Sequence, residues 1–249
     1  MTITAKTVFI PGATSGIGLA LALRLKDAGN TVVIGGRRTE VLASLAASHG
    51  FATVAIDTAD PASVLAARDQ LVAEHPSLDV LIAMAGIMAP ENLLDPASAF
   101  LEIAEREVNT NILGPLRLVS AFLPQLASRP DATLMTVSSG LAHVPLAFTP
   151  TYNGTKAFIH RFTESIRLQL AGTSVTVVEL VPPAVQTELT PGQSTREGYL
   201  DLDAFADEVM ALWEADPAAP EILVERVKFL RFAEVEGRFD ATVAALNAH

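Results

Sequence analysis

The sequence predicts a three-layer α/β fold, a doubly wound parallel sheet of about seven strands with helices on both faces. Three observations predict it. Short β-branched or apolar runs recur every ~25 to 45 residues with Ala/Leu-rich segments of helical period between them, which is the pattern of right-handed βαβ units. Half of the 249 residues are hydrophobic and only 18% are charged, a balance that suits parallel strands buried on both faces. No linker or change of composition divides the chain, so residues 1–249 are expected to form one domain.

Each element follows from its own letters. Strands are expected at 7–10 (TVFI), 31–35 (TVVIG), 52–56 (ATVAI), 79–84 (DVLIAM), 133–137 (TLMTV) and 174–181 (SVTVVELV), where β-branched side chains favour the extended chain. Helices are expected at 16–28, 38–49, 61–75, 100–128, 151–171 and 203–215. The fourth contains Pro115 and Pro124, so it must kink or end early. Residues 188–201, ELTPGQSTREGYLD, read as a loop after the sixth strand. That places them at the carboxyl edge of the sheet, where ligands bind, and a substrate lid is expected there. Residues 221–249 read as a brief strand followed by helix from 225 onward.

Charge and composition exclude several functions. A formal net charge of −11 opposes general attraction to nucleic acid or an anionic membrane. The chain has no cysteine, and its five histidines (His49, His75, His143, His160, His249) show no HxxxH or HExxH spacing, so no metal is expected. The N-terminal letters lack the apolar core of a secretory signal, and no apolar run approaches the ~20 residues of a membrane span. A cytoplasmic location is the resulting expectation.

The stretch PGATSGIG follows the first strand and opens a helix. Gly12 would permit a tight turn, Gly16 would let the backbone approach a pyrophosphate, and Gly18 would let the helix pack closely. Thr14, Ser15 and Ile17 lie between them, at a helix N-terminus whose free N–H groups and dipole favour an anion. The second strand ends in IGGRRTE. Sites for NAD usually hold a carboxylate at that point, whereas Arg37 and Arg38 would attract the 2′-phosphate of NADP, so NADP(H) is expected over NAD(H). Asp57, closing the third strand, could accept a hydrogen bond from an adenine amino group or cap the following turn.

Tyr152 and Lys156 stand four residues apart in YNGTK, in a chain with only two tyrosines and four lysines. On a helix, i and i+4 share a face. A cation there would favour the phenolate and bring the phenol, ordinarily near ~10, closer to proton exchange at neutral pH.

PGATSGIG, NILG with Asn111, SSG with Ser139, and YNGTK occur in the order that resembles the short-chain dehydrogenase/reductase family, across nearly the whole chain. SSGLAHVPLAFTPTYNGTK, PPAVQTEL and the C-terminal EILVERVKFLRFAEVEGRFD further resemble its DltE-like oxidoreductase branch. The resemblance implies a Rossmann fold and hydride transfer between NADP(H) and a carbonyl/alcohol substrate, as in a ketone or aldehyde reductase. It implies Tyr152 as general acid/base, and Lys156 lowering the phenol pKa and holding the nicotinamide ribose. Ser139, in preference to Ser138, would orient the substrate oxygen, and Asn111 would hold a water that links Lys156 to solvent. Ala85, Gly86, Pro182, Val185 and Thr187 would line the cofactor, with Thr187 on the nicotinamide carboxamide.

Departures from the family pattern are Pro11 before the first glycine, AMAG (83–86) after the fourth strand, the Pro182–Pro183 pair, and the helical C-terminus. Met84, Ile87, Met88, Leu141, Val144, Leu146 and Val185 are expected to form an apolar substrate wall, His143 either lines the pocket beside them or is an ordinary loop histidine, and a homodimer or homotetramer is the expected assembly. The rival expectation is a noncatalytic NADP-binding sensor or scaffold on the same fold.

Overall fold

The computed structural model describes residues 3–248; His249 lies outside the described residues. Seven strands pair in parallel in the order β3-β2-β1-β4-β5-β6-β7. They are β1 (Thr7–Pro11), β2 (Thr31–Gly36), β3 (Ala52–Ala55), β4 (Leu78–Ala83), β5 (Ala132–Val137), β6 (Val175–Leu180) and β7 (Glu221–Ile222). The β-branched runs became strands within a residue or so of their expected bounds, and the brief C-terminal strand is β7.

Alternation along each strand divides the core into two layers. Val8, Ile10, Val80, Ile82, Val178 and Leu180 face one side, where α1 (Gly16–Asp27), α2 (Thr39–His49) and α7 (Leu202–Ala215) pack. Phe9, Val33, Leu81, Leu134 and Val177 face the other, beneath α3 (Pro61–Glu74), α5 (Gly114–Ala127) and α6 (Pro150–Gln169). Every residue of β1, β4 and β5 is buried, which is why these strands carry no solvent-facing polar alternation. Phe9 and Phe122 meet with ring centroids 5.3 Å apart, joining the sheet to α5.

The segment expected as one helix at 100–128 is three pieces. α4 (Phe100–Glu107) runs into a π-turn (Val108–Leu113) and then α5. Pro115 falls in the first turn of α5, where a missing N–H is tolerated, and the wider turn absorbs the mismatch that a continuous α-helix could not. Asn111 sits in that π-turn.

Beyond β7, α8 (Glu225–Arg231) and α9 (Phe239–Leu246) fold back on the loop after β5. A Cβ on Gly140 would come 2.7 Å from Leu230 Cδ1 and 3.1 Å from Val227 Cγ2, so α8 rests directly on the backbone beside Ser139. Asn247 Oδ1 accepts from Ala147 N at 2.7 Å and its Nδ2 donates to Pro145 O at 3.1 Å. The helical C-terminus therefore clasps the loop between Ser139 and Tyr152. Among the described residues no helix is long and apolar enough to cross a membrane.

Candidate active site

Strand order reverses between β1 and β4, and at their carboxyl ends opens a cleft of about 420 Å³. Gly12 and Ala85 meet at this switch point. Gly12 has φ +95°, and a Cβ there would lie 2.8 Å from Ala85 N and Cα; only glycine fits both the conformation and the space. Gly16 has φ +55° at the first turn of α1, and a Cβ on Gly18 would lie 2.6 Å from Gly12 O. Gly18 thus packs the helix against the turn from behind, outside the cleft lining.

Ser15, the residue capping α1, makes no side-chain cap bond, and the first turn holds no acid. Its open N–H groups and dipole make it a seat for an anion. Arg38 Nη2 reaches back across the turn to Thr14 Oγ1 at 2.7 Å and Ser15 Oγ at 3.1 Å. Arg37 is exposed and has no hydrogen-bond or ion-pair partner among the described residues. A Cβ on Gly36 would lie 2.6 Å from Thr14 Cγ2, so the end of β2 has no room for the carboxylate that grips ribose hydroxyls. Asp57 Oδ1 accepts from Ala59 N at 2.9 Å, the capping alternative, while the residue also borders the cleft beside Ile56 and Thr58. This donor set and the glycine cradle fit a nicotinamide dinucleotide.

At the far end stand Ser139, Tyr152 and Lys156, at 7%, 7% and 6% exposure. β5 presents Ser139, and α6 presents Tyr152 and Lys156 one turn apart. Lys156 Nζ donates to Val137 O at 2.9 Å and lies 5.6 Å from the Tyr152 ring centroid. Ser139 Oγ accepts from Leu141 N at 3.1 Å, and its hydroxyl stands near enough to the Tyr152 phenol to oppose the rise in its pKa. Ser138 also borders the cleft but donates to Oε1 of the fully buried Glu179, so its hydroxyl proton is committed there while that of Ser139 is not.

Electrostatics correct one expectation. Burial pushes the Tyr152 phenol up to about 12, with Glu107 adding to the rise and the Ser139 hydroxyl opposing it. Burial also pulls Lys156 down to about 8, against the raising charges of Glu107 and Glu179. The phenol therefore stays protonated at neutral pH.

Asn111 is buried, and its side chain is occupied: Oδ1 accepts from Ile87 N at 2.8 Å, while Nδ2 donates to Ile87 O at 2.8 Å and to Thr155 Oγ1 at 3.2 Å. It ties the loop after β4 to α6, and Gly86 separates its Oδ1 from Lys156 Nζ. The water-holding role expected of it would fall to a remaining lone pair or to a backbone carbonyl of the π-turn.

Thr14, Ser15, Gly16, Ile17, Ala85, Gly86, Pro182, Val185 and Thr187 all border the cleft, as do both arginines. Of the expected apolar wall, Met84, Ile87 and Val185 border the cleft, while Met88, Leu141, Val144 and Leu146 do not, nor does His143. Val144 is fully buried, Met88 and Leu141 are half-buried beside the cleft, and His143 turns away to meet His160 edge-on at 4.6 Å between centroids. Thr110 borders the cleft unforeseen, and Leu189 and Gln193 border it as well. Leu189 and Gln193 belong to the expected lid, whose base is tied by Gln186 N to Leu200 O at 2.8 Å and Leu200 N to Ala184 O at 2.9 Å.

Behind Ser138, His160 Nδ1 lies 2.9 Å from Glu179 Oε2, and burial foremost pulls His143 down to about 4. His143, His160 and Glu221 could offer ligand atoms within 4.8 Å of one another. Arg231 already answers the Glu221 charge with two bonds of 2.7 and 2.9 Å, so this cluster does not call for a cation.

Sequence reasoning missed Glu107 and Glu91. Glu107 lies one helical turn before Asn111, a spacing that could have flagged it; both acids are buried.

The short chain dehydrogenase family profile matches residues 6–198. An uncharacterized oxidoreductase of Bacillus subtilis, DltE, is 36% identical over 236 residues, covering 94% of this chain and 93% of that protein. A probable NADP-dependent dehydrogenase of Haemophilus influenzae is 32% identical over 179 residues, with 71% and 70% covered. Among solved structures, a short chain dehydrogenase from Burkholderia cenocepacia in complex with NADP superposes with a TM-score of 0.85 at 26% identity, covering 99% of each chain.

Proposed function

Because this chain belongs to the short-chain dehydrogenase family and is an oxidoreductase acting on CH–OH and C=O groups, we propose that it is an NADP(H)-dependent reductase of ketones or aldehydes that uses Tyr152 as its acid. The observation that carries this reading is the buried Tyr152 phenol, beside Ser139 and one turn from Lys156, at the end of a cleft that begins at the glycine turn.

NADPH, when bound, supplies the hydride that reduces the carbonyl carbon. The chain's own groups do the rest. The α1 N-terminus and glycine turn hold the pyrophosphate, and Arg37 and Arg38 hold the 2′-phosphate. Ser139 Oγ–H and the Tyr152 O–H converge on the carbonyl oxygen, polarise it, and Tyr152 gives up its proton as charge develops there. A phenol held protonated to about 12 is in the form that acts as an acid at neutral pH. The Lys156 ammonium, anchored on Val137 O, stabilises the tyrosinate left behind. Asn111 keeps Ile87 and Thr155 in register around it.

Ile87, Met84 and Leu189 give the substrate end of the cleft apolar walls, which suits a carbonyl compound with apolar parts. Residues 188–201 act as a lid, with Leu189 and Gln193 closing over the bound pair. The assembly is a homo-oligomer. Leu116, Val119, Leu123, Phe162 and Ile166 on α5 and α6 line an apolar groove, and exposed Phe158 stacks on Phe162 at 6.0 Å; a second copy of this face would cover it. The test of the reading is NADPH consumption over a panel of carbonyl compounds, with and without Tyr152→Phe. Loss of turnover in the variant with NADPH binding retained supports it.

A further inference from the structure

Thr187 borders the cleft at 8% exposure and stands beside the anion seat of α1, where a Cβ on Gly16 would lie 3.5 Å from Thr187 Cβ. Its hydroxyl oxygen already accepts twice, from Gln193 Nε2 at 3.1 Å and from Leu189 N at 3.3 Å. A hydroxyl carries two lone pairs and one proton. With both lone pairs engaged, the proton is what Thr187 has left to offer, and that proton has no acceptor among the described residues.

Gln193 is fixed in the orientation this requires. It is 7% exposed, the only buried residue of the segment 188–201. Besides Thr187, its Nε2 donates to Val185 O at 2.9 Å, and its Oε1 accepts from Thr190 Oγ1 at 2.8 Å. A backbone carbonyl can only accept, so the amide nitrogen, and not the oxygen, must face Val185 and with it Thr187. Both N–H bonds of the amide are thereby engaged on the residues at the base of the lid.

We propose that Gln193 is a positioning residue that makes Thr187 an obligate hydrogen-bond donor to the cofactor, aimed at an oxygen of its pyrophosphate–nicotinamide half. The inference rests on the NADP(H) reading above. Gln193 acts through Thr187: by filling a lone pair of the hydroxyl, it keeps that lone pair from facing the cofactor. The pyrophosphate oxygens and the carboxamide oxygen of nicotinamide are acceptors, so a hydroxyl that presents its proton binds them and one that presents a lone pair repels them. The same side chain pins the lid to Val185, which joins the position of the lid to the grip on the cofactor.

The experiment is calorimetric titration of the full-length protein with two ligands. One is NADPH; the other is adenosine 2′,5′-bisphosphate, which keeps the adenosine half and lacks the nicotinamide half. Gln193→Met and Gln193→Leu keep the bulk of the side chain and remove its three hydrogen bonds. Each should weaken the Kd for NADPH roughly fivefold and leave that for the bisphosphate within about twofold of wild type. Thr187→Val, which has no hydroxyl, should lose at least as much NADPH affinity. Adding either Gln193 change to Thr187→Val should then alter the Kd by less than about twofold, because no hydroxyl is left to orient.

A glutamine that only braced the lid would weaken NADPH binding equally with or without that hydroxyl. Circular dichroism identifies the folded variants, and either Gln193 variant decides the matter alone. The proposal is overturned by an NADPH loss below about threefold, by a matching loss for the bisphosphate, or by an equal loss in the Thr187→Val background. Wild-type protein that binds neither ligand would sink the NADP(H) reading itself, and the proposal with it.

Discussion

Replacing Arg37 by Asp tests the cofactor assignment at its most exposed point. Arg38 is partly committed to Thr14 and Ser15, whereas Arg37 has no partner among the described residues and borders the same cleft. It is the cation free to meet a 2′-phosphate. A charge-assisted hydrogen bond contributes about 1.5–3 kcal/mol, and the exposure of Arg37 argues for the low end. The introduced carboxylate repels the phosphate by about 1 kcal/mol per unit charge at ~4 Å in a water-like medium. Together these amount to about 2.5 kcal/mol, or nearly a hundredfold in kcat/KM for NADPH. NADH carries no 2′-phosphate, so its kcat/KM should hardly change. The assay is steady-state reduction with each cofactor, and the predicted result is a fall of about two orders of magnitude in the NADPH/NADH ratio. A ratio within about threefold of wild type would refute the assignment, because a phosphate seated against Arg37 cannot ignore a charge reversal.

Other outcomes follow from the same geometry. Gly12→Ala forces a left-handed conformation on a side chain whose Cβ meets the Ala85 backbone at 2.8 Å; it should cost about 2–5 kcal/mol by denaturant unfolding and abolish measurable NADPH binding by titration. Glu107→Gln should change stability with a definite pH sign. The folded protein holds the Glu107 proton up to about 7 whereas the ordinary value is 4.5, so wild-type stability falls as pH rises between those values. The variant cannot ionise there, and its Tm advantage over wild type should grow across that window by on the order of 4 °C. Phe158→Glu places a charge on the α5–α6 face and should shift the species seen by light scattering toward monomer, with the fold unchanged by circular dichroism.

The fold was legible because its signals are local. Strands such as DVLIAM are apolar throughout since both faces are covered, and the residues between them carry helical period. Much of the cleft was legible for the same reason: the glycines of PGATSGIG answer a backbone conformation, and Tyr152 and Lys156 share a helix face. What escaped depends on tertiary placement. Pro115 warned of a break but could not announce a π-turn with Asn111 in it. Glu91 and Glu107 carry no local signal of their burial beside α6. The ammonium at Lys156 was expected to dominate the Tyr152 phenol, and desolvation reversed that, because a sequence does not reveal how much water a site excludes. The C-terminal helices hold the loop after β5 through Gly140 and Asn247, a contact between distant segments that no local pattern announces.

The most direct test of the central claim is NADPH absorbance during turnover of a panel of ketones and aldehydes by the wild-type protein and Tyr152→Phe. The account predicts carbonyl-dependent NADPH oxidation by wild type, a loss of at least about a hundredfold in kcat for the variant, and an unchanged Kd for NADPH. Tight NADPH binding with no turnover anywhere on the panel, or a variant as fast as wild type, would contradict it.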